Sequence, residues 1–420
     1  MAPIRILVVD DSVVIRKLLT TTLGEVPGLE VVATAPLGKI ALAKIPQCNP
    51  DIVILDVEMP EMDGIETLRR IRKDAPRLPV IMFSTRTERG AAATIEALTS
   101  GASDYVTKPS NVGNVQAAMA RVREEMVPKI LALTGGRSAA AVKPAPVPVP
   151  VPVPSPVPSA TQRMATTALL PISSLGVQGV PDARRSRTTN SPITRTHGTT
   201  ANPIIVNDGP IRLHRPTPPR PIDIVAIGAS TGGPNALAVT LGQLPADFPV
   251  PIVIVQHMLA TFTRHFAERL ALQCRIKIVE ATAGEIIAPG HAYIARGDHH
   301  LVVERRLGRS TLAMNQGKLE NFCRPAVDVL FRSVAHSYGT GVLAVVLTGM
   351  GHDGLLGCGA IREAGGDVIV QDEASSVVWG MPGFVARSGL ASQVVSLDHI
   401  GGELRRRIAL GAARPLEAAP

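Results

Sequence analysis

The sequence predicts two doubly wound α/β domains with parallel sheets, one on each side of a proline-rich stretch. Three observations carry that expectation. Short runs of Val, Ile and Leu recur without polar alternation, which is the pattern of strands buried on both faces. Segments of helical pattern separate them, as parallel strand–helix–strand crossovers require. The runs stop at Asp, Ser or His, and open parallel sheets gather their ligand-handling groups at the carboxyl ends of their strands. The boundaries expected are 1–127 for the first domain, 128–221 for the connecting stretch, 222–412 for the second domain and 413–420 for a short tail.

In the first domain Ile4 to Val9 is an apolar run that ends in Asp10-Asp11, with a helix beginning near Ser12. Ile52 to Leu55 is a second run and ends in Asp56, Pro79 to Phe83 ends at Ser84, and the strand after Asp104 delivers Lys108-Pro109. Three carboxylates converging at strand ends repel one another unless a cation lies between them. Hard oxygen ligands with open positions suit Mg²⁺. Carboxylates, a hydroxyl and an ammonium are also what phosphoryl transfer requires, since metal and lysine neutralise the phosphoryl oxygens. The order of Asp10-Asp11, Asp56 with Met59-Pro60 and Met62-Asp63-Gly64, Ser84 and Lys108-Pro109 resembles the receiver domain of two-component response regulators. That resemblance implies a flavodoxin-like fold with a five-stranded parallel sheet. It implies that Asp56 accepts phosphate from an upstream sensor histidine kinase, that Asp10, Asp11 and Asp56 hold Mg²⁺, and that Ser84, Tyr105 and Lys108 form the switch.

Residues 136 to 221 contain 17 of the 36 prolines and none of the aromatic residues, so the stretch is expected to be a disordered linker without a core. Its ten Lys or Arg against Asp182 and Asp208 give a net charge of +8, which is the net charge of the whole chain. The basic balance therefore says nothing of either folded domain. The Val-Pro alternation from Pro144 to Pro158 favours polyproline II.

The second domain opens on Ile222 to Gly233, an apolar strand that runs into Gly228-Ala229-Ser230-Thr231-Gly232. This fits the G-x-S-x-G nucleophile elbow, in which a strained serine at a tight strand-to-helix turn exposes its hydroxyl. The N–H of Thr231 then points where an oxyanion would form. A nucleotide-binding reading is weaker, because neither G-x-G-x-x-G nor GK[ST] is present. Pro251 to His257 is a further run with His257 at its end, and Gly341 to Thr348 leads into Gly349-Met350-Gly351-His352-Asp353-Gly354. Ser230, His257 and Asp353 thus have the residue types of nucleophile, base and orienting carboxylate. Their chain order, Ser-His-Asp, is not that of the α/β-hydrolases.

From about Asp223 onward the sequence resembles the catalytic domain of the chemotaxis response-regulator protein-glutamate methylesterases, the CheB family. The resemblance rests on IGASTGG, VQHM, FTRHFAERL, GDHHLVV, RPAVDVLF, LTGMGHDG and QDEASSVVWGMP, spread over the whole second domain. It implies Ser230 as nucleophile, His257 as general base and acid, Asp353 as orienting group, and Thr231 and Met350 lining the oxyanion side. It further implies demethylation, and deamidation of glutamines, on the cytoplasmic helices of chemoreceptors, with no cofactor in this domain. The chain departs from the pattern at Cys323, where relatives often carry His; this leaves the triad untouched and alters the pocket rim.

Two other classes compete. Receivers also precede DNA-binding outputs, and Arg184-Arg185-Ser186-Arg187 is a basic cluster. Strand-ending Ser, His and Asp, in place of a helix-turn-helix, argue against nucleic acid as a partner. A non-catalytic scaffold is disfavoured by the complete triad. Cys48, Cys274, Cys323 and Cys358 have no C-x-x-C spacing, so neither a structural zinc nor a disulfide framework is expected. No window approaches the 18 or so apolar residues of a membrane span and the first residues do not read as a signal peptide. A reduced, cytoplasmic protein is expected.

Overall fold

The computed structural model describes residues 2–109, 115–135, 210–215, 220–306 and 308–412. In the first domain the elements alternate strictly: β1 (Ile4–Val9), α1 (Val13–Gly24), β2 (Leu29–Ala35), α2 (Gly38–Cys48), β3 (Ile52–Asp56), α3 (Gly64–Asp74), β4 (Val80–Ser84), α4 (Glu88–Thr99), β5 (Asp104–Thr107) and α5 (Val115–Leu133). The sheet runs β2-β1-β3-β4-β5 with every pair parallel. The continuous apolar runs follow from this, because helices cover both faces and β3 and β4 are buried along their whole length. Side-chain caps fix three helix starts: Ser12 Oγ accepts from Ile15 N, Asp63 Oδ1 from Glu66 N and Thr87 Oγ1 from Gly90 N. After β1 the chain turns to β2 and then crosses back to β3, so a crevice opens between the carboxyl ends of β1 and β3. Asp10 and Asp56 stand at that switch point.

The second domain repeats the logic on a larger sheet. Its elements are β6 (Ile224–Ala229), α6 (Gly233–Gly242), β7 (Ile252–Gln256), α7 (Ala260–Gln273), β8 (Lys277–Glu280), β9 (His291–Ile294), β10 (His300–Arg306), β11 (Arg309–Asn315), α8 (Val327–Tyr338), β12 (Val342–Val346), α9 (Leu355–Glu363), β13 (Asp367–Gln371), α10 (Met381–Arg387), β14 (Gln393–Val395) and α11 (Leu397–Ala412). Seven parallel strands run β14-β13-β12-β6-β7-β9-β8, and β10 and β11 form a separate antiparallel hairpin. The chain leaves β6 toward β7 and later leaves β12 toward β13. The switch crevice therefore lies between β6 and β12, with the Ser230 turn on one side and the 349–354 loop on the other.

Two boundaries differ from expectation. Helix α5 continues past residue 127 to Leu133, carrying Pro128 inside it, because Met126, Val127 and Ile130 extend one buried face. At the other end of the connecting stretch, residues 210–215 lie on the second domain: Arg212 N donates to Ala386 O at 3.2 Å and His214 N to Ala391 O at 2.8 Å. Pairing of these backbone groups holds a segment that composition alone assigns to the linker. The remainder of the expected linker, with the Val-Pro run and the 184–187 basic cluster, and the expected tail at 413–420 lie outside the described residues.

The two domains share one apolar cluster, which joins Ala91, Ile95 and Leu98 of α4 to Leu237 and Leu241 of α6 and Phe262 and Phe266 of α7. Helix α4 packs on both α6 and α7.

Candidate active site and receiver pocket

Ser230 follows the last residue of β6, and its turn is built from small residues for a steric reason. Gly232 sits at φ +77°, and a Cβ there would come within 2.6 Å of Val377. A Cβ on Gly349 of the facing loop would lie 2.9 Å from the Cβ of Ser230. The strain expected at the serine is not found: Ser230 is absent from the positive-φ residues, and the left-handed step falls on Gly232, where no Cβ penalises it. Thr348 O accepts from Ser230 N at 3.1 Å and Thr348 Oγ1 donates to Thr231 O at 3.0 Å, which ties the turn to the end of β12. Gln256, the last residue of β7, donates from Nε2 to Ser230 O at 2.9 Å and to His257 O at 3.1 Å. It locks the two strand ends together.

His257 Nε2 is 2.7 Å from Asp353 Oδ2. The carboxylate is held on all sides: Val327 N (2.7 Å) and Asp328 N (3.1 Å) donate to it from the start of α8, Gly354 N donates at 3.0 Å and Asn321 Nδ2 at 2.8 Å. Burial raises the pKa of Asp353, but His257 and the N–H groups of Val327 and Asp328 outweigh burial and hold it below the ordinary carboxylate value. For His257 burial opposes the charged form, yet Asp353 and Cys323 prevail and raise its pKa to about 10.

Ser230, Thr231, His257, Met350 and Asp353 line one cavity of about 910 Å³. Two details distinguish its geometry from the triad expected. The Ser230 hydroxyl makes no hydrogen bond among the described residues, and His257 Nδ1 instead faces Cys323 Sγ at 3.6 Å. The backbone N–H groups of Thr231 and Met350 have no acceptor among the described residues.

The same cavity is lined from the first domain by Leu98, Asp104, Tyr105 and Lys129. Asp104 Oδ2 accepts from Thr231 Oγ1 at 2.6 Å, and Ser103 O accepts from Gly232 N at 3.2 Å. Tyr105 Oη accepts from Leu259 N at 3.3 Å, and its ring packs on Phe262 with centroids 4.6 Å apart. The β5 edge of the first domain thus sits directly on the serine turn. Sequence reasoning missed Asp104, Gln256 and Asn321 as parts of this site. No local motif marks any of the three, since their partners lie on other elements.

In the first domain Lys108 Nζ is 2.8 Å from Asp10 Oδ2 and 2.8 Å from Asp56 Oδ2. Neither of those buried oxygens has an aligned hydrogen-bond donor. Burial, then the neighbouring Asp10, raises Asp56 to about 6, and burial raises Asp10 as well. Oxygen atoms of Asp10, Asp11 and Asp56 lie within 4.8 Å of one another, with Asp11 exposed. Crowded, under-satisfied carboxylate oxygens fit a hard divalent cation. Ser84 ends the neighbouring strand β4, but its hydroxyl is engaged elsewhere and donates to Gly90 O at 3.1 Å. Tyr105 is buried against the second domain.

The CheB methylesterase family model matches residues 225–404, and the response regulator receiver domain model matches residues 6–120. The chain is 46% identical over 97% of its length to a protein-glutamate methylesterase/protein-glutamine glutaminase of Trichodesmium erythraeum, all of which is covered. It is 44% identical over 97% of its length to a protein of the same name from Nocardioides, of which 96% is covered. Among solved structures it is similar to the CheB methylesterase catalytic domain of Thermotoga maritima (40% identity, 44% of this chain, 98% of that one, TM-score 0.44).

Proposed function

The chain belongs to the CheB family of protein-glutamate methylesterases/protein-glutamine glutaminases, with a response-regulator receiver ahead of the hydrolase domain, and we propose that Ser230 is its nucleophile toward glutamyl methyl esters of chemoreceptors. Support comes above all from one observation: Ser230, the Asp353-held His257, and Thr231 and Met350, whose N–H groups have no acceptor among the described residues, line a single cavity. In the neutral ring, the form that can act as base, the bond to Asp353 keeps the proton on Nε2, so Nδ1 carries the lone pair. The Ser230 hydroxyl has no bond to break in turning toward it. Nδ1 takes the hydroxyl proton as Oγ attacks the ester carbonyl, and the N–H groups of Thr231 and Met350 receive the oxyanion. Collapse expels methoxide, which leaves as methanol with the proton returned by His257. Water, deprotonated by the same nitrogen, then frees the glutamate and restores Ser230. A glutamine amide presents the same carbonyl with ammonia as leaving group, in keeping with the double name of the relatives.

Regulation is proposed to act through Asp56, phosphorylated by a sensor histidine kinase. Asp10, Asp11 and Asp56 would hold Mg²⁺, which supplies neutralisation of the phosphoryl oxygens when bound. Lys108 is placed to pair with a phosphate on Asp56, having both carboxylates within reach. Receiver residues close the cavity, so the form described is read as the closed state, and phosphorylation as the event that weakens the β5 contact. No described helix is long and apolar enough to cross a membrane, and all four cysteines are free. A cytoplasmic site of action belongs to the same proposal.

Ser230→Ala is expected to fold normally and to lose on the order of 10⁶ in kcat, because nucleophile and base act as a unit. Methanol release from methylated receptor is the measurement. A variant retaining a tenth of the parent rate would exclude Ser230 as nucleophile.

A further inference from the structure

Cys323 faces the base nitrogen of His257, and the esterase reaction gives its thiol no step. Sγ lies 3.6 Å from Nδ1. A zinc ion bound by thiolate at about 2.3 Å and imidazole at about 2.0–2.1 Å, with a tetrahedral angle between them, holds sulfur and nitrogen about 3.5–3.6 Å apart. The pair already has the bite of such a site. A second feature is independent of that distance. Metal-binding histidines commonly donate their other ring N–H to a carboxylate, which fixes the tautomer and the ring plane. Here Nε2 is held by Asp353 at 2.7 Å, and Asp353 is fixed in turn by Asn321 and by N–H groups of Val327, Asp328 and Gly354. His257, Cys323 and Asp353 are grouped closely enough to hold an ion, and none of Cys48, Cys274 and Cys358 belongs to such a group among the described residues.

We infer that Cys323 Sγ and His257 Nδ1 constitute a binding site for a soft divalent cation of the Zn²⁺ class, and that the cation inhibits the enzyme by occupying the nitrogen that must accept the Ser230 proton. The inhibitory half of this inference rests on the reading of His257 as base. Binding is balanced by release of whatever protons Sγ and Nδ1 carry: Zn²⁺ replaces them, and the thiolate and neutral imidazole become ligands. Water or the Ser230 hydroxyl completes the shell from the cavity, which Cys323 and His257 both line. Thiolate and imidazole select zinc over magnesium and calcium, which prefer oxygen. The acidic pocket around Asp56 is all oxygen and keeps its own selectivity.

The test uses the full chain with Mg²⁺ in excess, so that the acidic pocket does not compete for added metal. Free Zn²⁺ is raised in a metal buffer while methanol release is followed, and a chelator is then added. The parent should lose activity and recover it, whereas Ca²⁺ should have no effect. Cys323→Ser and Cys323→Ala, each scored against its own zinc-free rate, should need at least about tenfold more free Zn²⁺ for the same fractional loss. Co²⁺ provides a readout besides activity: a thiolate-to-cobalt absorption in the parent and in Ser230→Ala, absent in both Cys323 variants. Unchanged zinc sensitivity in the Cys323 variants, or no thiolate band in the parent, would overturn the site. A thiolate band with an undiminished esterase rate would keep the metal pair and refute His257 as the base.

Discussion

His257 is set between opposing influences whose balance should be visible in the pH dependence of the reaction. Burial disfavours its charge, but Asp353 and Cys323 hold its pKa up to about 10. A base must be neutral to act, so the unphosphorylated enzyme should speed up by about tenfold per pH unit from neutrality toward that value. Cys323 is one of the groups that raise the pKa; replacing it with serine should move the limb to lower pH. Methanol release by both proteins from neutral to alkaline pH is the check, and superimposable limbs would remove Cys323 from the account. Asp56 gives a second case. Its folded pKa of about 6 lies above the ordinary 3.8, first because of burial and then because of Asp10. The folded state therefore binds more protons across that window, and stability falls as pH rises through it, with the full penalty present above about 6. Asp56→Asn should stabilise the metal-free protein at neutral pH by about 1–3 kcal/mol, with the gain vanishing at acid pH near the unfolded value. Urea unfolding at both pH values measures it, and the same variant should no longer respond to acetyl phosphate. At this scale the sequence displayed the candidate residue types, because Ser230, His257, Asp10 and Asp56 each stand at the end of a strand and Asp353 lies in the glycine-rich loop that follows β12. It did not display Asn321 or Gln256, whose roles exist only through partners distant in sequence.

Among the elements, legibility followed burial. Strands β3, β4, β6, β7 and β12 are covered on both faces and show as apolar runs, and in β1 only Arg5 interrupts one. The hairpin β10–β11 mixes Arg, Glu, Ser and Thr with its apolar residues, and β14 has only three residues, so neither forms such a run. Helix α5 hid its end behind Pro128, which reads locally as a break, while its buried face ran on to Ile130. The least legible relation was between elements of different domains. Asp104 opens β5 with no motif to mark it, yet its carboxylate holds Thr231, next to Ser230, and also pairs with Lys129 at 2.7 Å. Losing that hydrogen bond should cost the closed state about 1–2 kcal/mol. Asp104→Ala is accordingly expected to raise the unphosphorylated rate roughly five- to thirtyfold while narrowing the gain from acetyl phosphate. An unaltered basal rate would show that the contact does not hold the domains closed.

At the scale of the whole molecule the question is what keeps the receiver seated on the catalytic crevice, charge or apolar burial. Among the described residues one contact that can carry charge bridges the domains, Glu88 Oε2 with His265 Nε2 at 2.6 Å, an ion pair only when the imidazole is protonated, with the Glu88 side chain 75% exposed. A pair so open to water contributes at most about 1 kcal/mol and is screened by salt. Tyr105 is a different matter. Only 8% of it is exposed, its ring lies on Phe262, its hydroxyl accepts from Leu259 N, and the cluster around it continues from α4 through α6 and α7. Burying a large side chain of this kind is worth about 1.5–3 kcal/mol. The apolar contribution should win. High salt should then change the unphosphorylated rate by less than about fivefold, the equivalent of that single exposed pair. Tyr105→Ala should raise it about tenfold or more, the equivalent of the lost burial. Phosphorylation should add little further in that variant, since a ligand or modification shifts an equilibrium only through contacts that differ between its two states, and the principal such contact would already be gone. Methanol release with and without acetyl phosphate, for parent and Tyr105→Ala at low and high salt, separates the two contributions. A rate that climbs steeply with salt while Tyr105→Ala behaves as the parent would assign the closure to charge and leave the aromatic contact as packing alone.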